Sequence, residues 1–248
     1  MSGRLSFYRF SSPAAFYPLA GTIGKVSALI AVVLLAIGLY MSFFVAPTDY
    51  KQGEGYRIIF IHVPSAWMSM FIYLVMAFWA GIGLVFNTRL SSMMAQALAP
   101  TGAIMTFIAL WTGAFWGKPM WGAWWVWDAR LTSELILFFL YIGFIALQGS
   151  IDDTRRADRA GAVLLLVGVV NIPIIYFSVK WWNTLHQGAT VSVTEGSSMS
   201  TIMLQAMLIM TFAFWAYSVA VAMYRVRSII LEREKDTRWV SELPEVRR

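Results

Sequence analysis

An all-α integral membrane protein with six transmembrane helices is predicted by three features of the sequence. The chain is 59% hydrophobic and only 13% charged, where a soluble domain carries about 25% charged residues. Its apolar residues come in long blocks, without the alternating or one-sided patterns of water-soluble elements. Six of those blocks reach the roughly 20 residues that a helix needs to cross hydrocarbon.

The blocks run at about 26–46, 66–86, 93–116, 131–149, 160–179 and 200–224. Backbone polar groups in lipid must be satisfied within the segment, which favours helices. Strands of a membrane barrel would be about half as long and would alternate. The stretch ahead of the first block, RLSFYRFSSPAAFYPLAGTIGK, is polar and aromatic. It lacks the short apolar core and cleavage site of a secretory signal, so the first block is expected to stay as an anchor. Pro64 suits the first turn of the second span. Pro100 and Pro173 fall inside the third and fifth spans and are expected to bend them. Residues 225–248 read as a charged tail, in part helical. With no internal repeat and no boundary, residues 1–248 are expected to form a single six-helix membrane domain.

Orientation follows from the 19 Lys and Arg residues. Lys51, Arg57, Lys118, Arg130 and Lys180 fall on one side, and the other 14 on the opposite side. Basic loops stay cytoplasmic, so both termini are expected on the cytoplasmic side. The segments at 47–65, 117–130 and 180–199 then face outward. The net charge of +6 does not indicate nucleic acid, because the cations sit at block ends and form no continuous stripe. The chain has no cysteine. That excludes disulfides, thiolate metal ligands, iron–sulfur clusters and thioether-linked haem on this chain.

The outward segments carry the chemistry. Trp121 to Asp128 reads WGAWWVWD, four tryptophans and a carboxylate between two apolar blocks. Trp67, Trp116, Trp181 and Trp182 also fall at the outer side. An aromatic belt accounts for one or two tryptophans per interface, but it enriches both faces, and the inner face here is poor in tryptophan. Trp121, Trp124 and Trp125 are spaced i, i+3, i+4, so a helix along the membrane surface would gather them on one face. Asp128 is placed either to cap the fourth span or to serve the site. Arg130 and Glu134 are four apart, the spacing of a helical ion pair.

The chain's two histidines, His62 and His186, lie in the other two outward segments. A lone interfacial histidine is commonly a belt residue. Two that share a face with the tryptophan segment point to metal ligation, and zinc would want more ligands than this chain supplies. Two imidazoles and several indole faces suit a large flat cofactor: haem takes axial histidines through its iron and stacks on indole. Arg57 and Arg130 are the cations expected to meet its propionates, since guanidinium binds carboxylates with two parallel bonds.

The segment GKPMWGAWWVWDARLTSEL at 117–135 resembles the tryptophan-rich WWD segment of haem-handling membrane proteins. YRIIFIHVPSAW at 56–67 and WWNTLHQG at 181–188 are similar to the histidine-bearing flanks of one family, cytochrome c maturation protein C (CcmC). The resemblance covers nearly the whole chain, and its length and two histidines set it apart from larger relatives. It implies haem b, bound transiently and without covalent linkage, held between His62 and His186 against Trp121, Trp124, Trp125, Trp127 and Asp128. It implies delivery to a periplasmic haem chaperone (CcmE), help from a small single-span protein (CcmD), and association with an ATP-binding-cassette transporter (CcmA and CcmB). The chain would then be no enzyme, its energy coming from the partner ATPase. That agrees with the lack of a Gly-rich phosphate loop here.

Three other readings compete. A solute or ion transporter usually places ionisable groups at mid-membrane, whereas Glu134 alone lies inside a predicted span, near its outer end. A single-haem membrane cytochrome would lack ligands for the second haem needed to carry electrons across. A structural subunit leaves the one-sided tryptophan cluster without a reason.

Overall fold

The computed structural model describes residues 12–182, 191–192, 196–197 and 199–243. Among them the chain forms α1 (Pro13–Tyr40), α2 (Ile59–Phe86), α3 (Arg89–Trp121), α4 (Ala129–Ser150), α5 (Thr154–Gly168), α6 (Asn171–Trp181), α7 (Thr201–Arg233) and α8 (Arg238–Ser241). A π-helical turn, Met41–Val45, extends α1, and a 3-10 turn, Glu54–Ile58, leads into α2. Two-residue strands at Val191–Ser192 and Gly196–Ser197 pair antiparallel. Six helical segments are long and apolar enough to cross a membrane: Pro13–Val45, Glu54–Phe86, Arg89–Trp121, Ala129–Ser150, Thr154–Trp181 and Thr201–Arg233. The protein is an all-α, multi-pass membrane protein.

Most helices are longer than the apolar blocks that signal them. A segment of 33 residues such as Arg89–Trp121 is about 50 Å long at 1.5 Å per residue, against a hydrocarbon core of about 30 Å. The surplus carries the helices beyond the apolar layer, where sequence hydropathy no longer marks them. One consequence is that Pro64 sits inside α2, a full turn past the helix start, and not in the first turn. His62 therefore stands on a helix. Another is that α7 runs on to Arg233, taking in the first part of the presumed tail. Trp239 of α8 then folds back edge-on to Tyr17, with centroids 5.8 Å apart.

The two span prolines behave differently. α3 continues as helix through Pro100. The fifth span is interrupted at residues 169–170, just before Pro173. Pro173 has no N–H to offer the carbonyl of Val169, four residues back, and its ring crowds that carbonyl. Val169 O instead accepts from Ile172 N at 3.1 Å.

α1 packs along α7 through a face that repeats every seven residues: Tyr17, Gly24, Ala31 and Gly38 are buried. Small side chains let two helix backbones approach closely, the contact that dispersion favours when lipid competes equally for apolar surface. The opposite face of α1 shows Leu29 and Val32 about two-thirds exposed, as a lipid-facing surface would. Inside the bundle, polar groups are tied across helices. Tyr141 Oη donates to Ser69 O at 2.7 Å, and Asn171 Nδ2 to Ser133 O at 2.9 Å.

Helix directions alternate, so residues 46–53, 122–128, 182 and 199–200 share one end of the bundle. At the opposite end, Arg233 grips Asp158 with two bonds of 2.8 and 2.9 Å and reaches Gln96. There Arg89 also pairs with Glu234 at 2.8 Å. These contacts tie the ends of α3, α5 and α7 together.

Candidate functional site

The tryptophan-rich end is built from helix ends. α3 stops at Trp121 because Gly122 adopts φ 77°, a left-handed cap that glycine takes without penalty. Its N–H bonds to Lys118 O at 3.0 Å, and Lys118 Nζ reaches the Gly122 carbonyl at 3.1 Å. Residues 123–128 then run without helix to α4. The surface helix expected for Trp121 to Trp127 is thus not formed, and the i, i+3, i+4 spacing has no helix on which to act. Asp128 caps α4, its carboxylate accepting from Leu131 N–H at 2.8 Å.

The tryptophans divide into groups. The Trp121 ring folds back over Gly117, where a Cβ would lie 3.1 Å from it. Trp124 is half-exposed and packs edge-on against Phe115 at 5.4 Å, extending an aromatic row of Phe107, Trp111 and Phe115 down α3. Trp125 and Trp127 contact each other edge-on at 5.4 Å. Trp127 is 77% exposed, while the Trp125 Nε1–H is buried without a hydrogen-bond partner.

His62 projects from α2 onto α3. Its Nδ1 lies 3.0 Å from Thr112 Oγ1, and its ring meets Trp116 edge-on at 5.6 Å. Gly113 makes room for the imidazole: a Cβ there would stand 3.1 Å from Cε1. Trp116 in turn donates from Nε1 to Gln52 Oε1 at 2.8 Å, fastening the 46–53 loop over the end of α3. Beside the imidazole opens a cleft lined by Ala66, Leu110, Trp116, Met120, Trp121, Arg130 and Glu134, its enclosed part about 70 Å³.

Arg130 and Glu134 share this cleft but do not pair. Arg130 Nη1 donates to Ile175 O of α6 at 3.2 Å, and Glu134 Oε1 lies 2.7 Å from Ser69 Oγ of α2. The ion pair suggested by their spacing gives way to contacts between helices. Arg57 is held elsewhere, by Glu54 and by the carbonyl of Ser42 at 2.5 Å, and does not line the cleft.

Of the residues singled out from sequence, the fold therefore brings His62, Trp121 and Arg130 to one cleft. Trp124, Trp125, Trp127 and Asp128 lie in the adjoining segment. His186 lies outside the described residues. Thr112 and Gly113 enter the site only through the fold, and Glu134, read from sequence as a partner for Arg130, joins the cleft there. Thr112 and Gly113 share a helix face with Trp116, at i, i+4 and i, i+3, and that spacing is the one sequence signal they offer.

The heme exporter protein C (CcmC) family matches residues 6–241 of this chain. Heme exporter protein C of Escherichia coli strain K12 is 48% identical over 238 residues, covering 96% of each chain. Its counterpart in Bradyrhizobium diazoefficiens is 50% identical over 224 residues, 90% of this chain and 84% of that one. A ccmC-like mitochondrial protein of cytochrome c biosynthesis from Marchantia polymorpha is 45% identical over 198 residues, 80% of this chain and 84% of its own. Matched from near one end to near the other, the chain belongs to the heme exporter protein C family.

Proposed function

We propose that this protein binds haem at the outward membrane face and hands it to a periplasmic haem chaperone (CcmE) during cytochrome c maturation. The observation that carries the reading is the meeting of His62, Trp116, Trp121 and Arg130 at one cleft of the tryptophan-rich end. The family's name speaks of haem export, and the plant relative's of cytochrome c biosynthesis.

The residues fit the group. His62 offers an imidazole braced on its Nδ1 side. The part-buried indoles of Trp116 and Trp121 beside it supply flat apolar area, which stacking needs and ligation does not. Arg130 supplies a guanidinium for a propionate, and the buried Trp125 N–H adds a second donor in the same region. The enclosed cleft is far smaller than the 300–1,000 Å³ that sheathes a large ligand. The cargo accordingly lies across its mouth, with an edge left open for transfer. His62 and His186 are the two axial ligands in this reading, and Arg57 remains a candidate for the second propionate once released from Glu54. Haem b, held without covalent linkage, is the cargo. The single-span CcmD and the transporter CcmA–CcmB are the partners, and the chain itself is a binding and transfer protein. The membrane is the bacterial inner membrane, with both termini cytoplasmic. Residues 1–248 act as one six-helix domain.

The test is spectroscopic. His62→Ala and His186→Ala, each purified in detergent, should lose haem and shift the Soret band, and acid should release haem because protonated imidazole cannot ligate. Replacing Trp121, Trp124, Trp125 and Trp127 together should lower haem content or chaperone loading at normal membrane levels. Wild-type Soret bands in both histidine variants would overturn the axial assignment.

A further inference from the structure

We propose that Thr112 is a positioning residue that fixes the tautomer of His62, committing Nδ1 as the proton-bearing nitrogen and Nε2 as the nitrogen with the lone pair that ligation requires. The inference deepens the haem-binding reading of this site and rests on it for the role of Nε2.

The argument counts protons. A threonine hydroxyl has one proton to give and lone pairs to accept with. Thr112 Oγ1 lies 2.6 Å from Ile108 O, one turn back on α3, and 3.3 Å from Ala109 O. A carbonyl only accepts. At 2.6 Å two oxygens without a proton between them would set lone pair against lone pair, so the hydroxyl proton belongs to the Ile108 bond. Such back-bonding is the habitual geometry of threonine within a helix. The same oxygen lies 3.0 Å from His62 Nδ1. With its only proton spent, it meets Nδ1 as an acceptor, and Nδ1 must carry the hydrogen. Neutral imidazole has one N–H, so Nε2 keeps its lone pair.

The surroundings hold the ring in that orientation. Trp116 stands edge-on to it at 75°. Gly113 leaves space for Cε1. Thr112 and Gly113 are adjacent on α3, so one turn of helix both admits the imidazole and sets which nitrogen is protonated. Metal-bound histidines commonly receive such bracing on the second nitrogen, and its loss costs about 10- to 100-fold in affinity.

The experiment reads the tautomer before any haem is added. The full chain carries two histidines, so a His186→Ala background with a histidine-free affinity tag leaves His62 as the sole imidazole. Nitrogen-15 NMR of the haem-free protein at alkaline pH should show a protonated Nδ1 and an unprotonated Nε2. Thr112→Val, of similar shape without the hydroxyl, should mix the two tautomers or invert them. Thr112→Ser should restore the pattern. In the chain with both histidines present, Thr112→Val should lower haem affinity about tenfold while Thr112→Ser stays within about twofold. A protonated Nε2 with Thr112 intact would overturn the proposal, and that measurement needs no variant at position 112 to fold. An unchanged tautomer in a folded Thr112→Val protein would overturn it equally. If instead the tautomer behaves as stated while His62→Ala keeps a wild-type Soret band, the ligation reading fails and the Thr112 assignment stands.

Discussion

Gly113→Ala should separate haem binding from stability. A Cβ at position 113 would lie 3.1 Å from His62 Cε1 and 3.6 Å from Nδ1. Carbon atoms rest at about 3.5–4.0 Å, so the imidazole must withdraw from α3 by about 0.4 Å or more. That movement stretches the 3.0 Å contact with Thr112 to about 3.4 Å, beyond the useful range of a hydrogen bond. If a misplacement of 1 Å can cost about 10²-fold where geometry matters, 0.4 Å corresponds to a loss of roughly 5- to 10-fold in haem affinity. The backbone effect runs the other way, since alanine in a helix interior is favoured over glycine by about 0.5–1 kcal/mol. The variant should therefore melt no earlier than wild type yet retain less haem, and Gly113→Leu should exaggerate the loss. The assay is haem content by pyridine haemochrome on protein in lipid nanodiscs, alongside thermal unfolding of the haem-free form. Full haem content and an unshifted Soret band in Gly113→Leu would refute the placement of a ligating His62 against this glycine.

Three further outcomes are expected. Reporter fusions at Asp153 and Gly122 should read cytoplasmic and periplasmic respectively, as the asymmetry of Lys and Arg demands, and the reverse pattern would remove the outward site. Asp128→Ala should cost about 1 kcal/mol through the lost cap on Leu131 N–H, with Asp128→Asn nearly neutral. A fall in haem content with no change in thermal stability would instead give Asp128 a direct part in binding. Arg130→Ala gives up its bond to Ile175 O, worth roughly 1.5–3 kcal/mol for a charged donor, and should also change the haem spectrum. If Arg130→Lys restores stability but not the spectrum, the two-pronged guanidinium is what the cargo needs.

Hydropathy alone located six spans, because the membrane demands about 20 apolar residues wherever a helix crosses it. The same signal fades outside the hydrocarbon, which is why the start of α2 at Ile59 and the end of α7 at Arg233 lay beyond the apolar blocks. Local chemistry was equally readable at Asp128, whose capping bond depends only on the residues that follow it. It misled at Trp121–Trp127. The spacing suited a helix, but Pro119 lies near the end of α3 and Gly122 turns left-handed, so the backbone leaves the helix before Trp124.

His62, Trp121 and Arg130 were legible as candidates, since few residue types can hold a large flat cargo and these cluster in segments that the Lys and Arg distribution predicts to face outward. Their meeting at one cleft was not, because it depends on how α2, α3 and α4 pack. Likewise the choice of Arg130 to bond Ile175 O, and of Glu134 to approach Ser69, was made by neighbouring helices. Four-residue spacing offers an ion pair only when nothing better stands within reach. The sequence determined how many times the chain crosses the membrane and which residues could serve a site at its end. Tertiary packing decided that Thr112 and Gly113 stand against His62, because a hydroxyl and an imidazole fifty residues apart meet only where two helices pass.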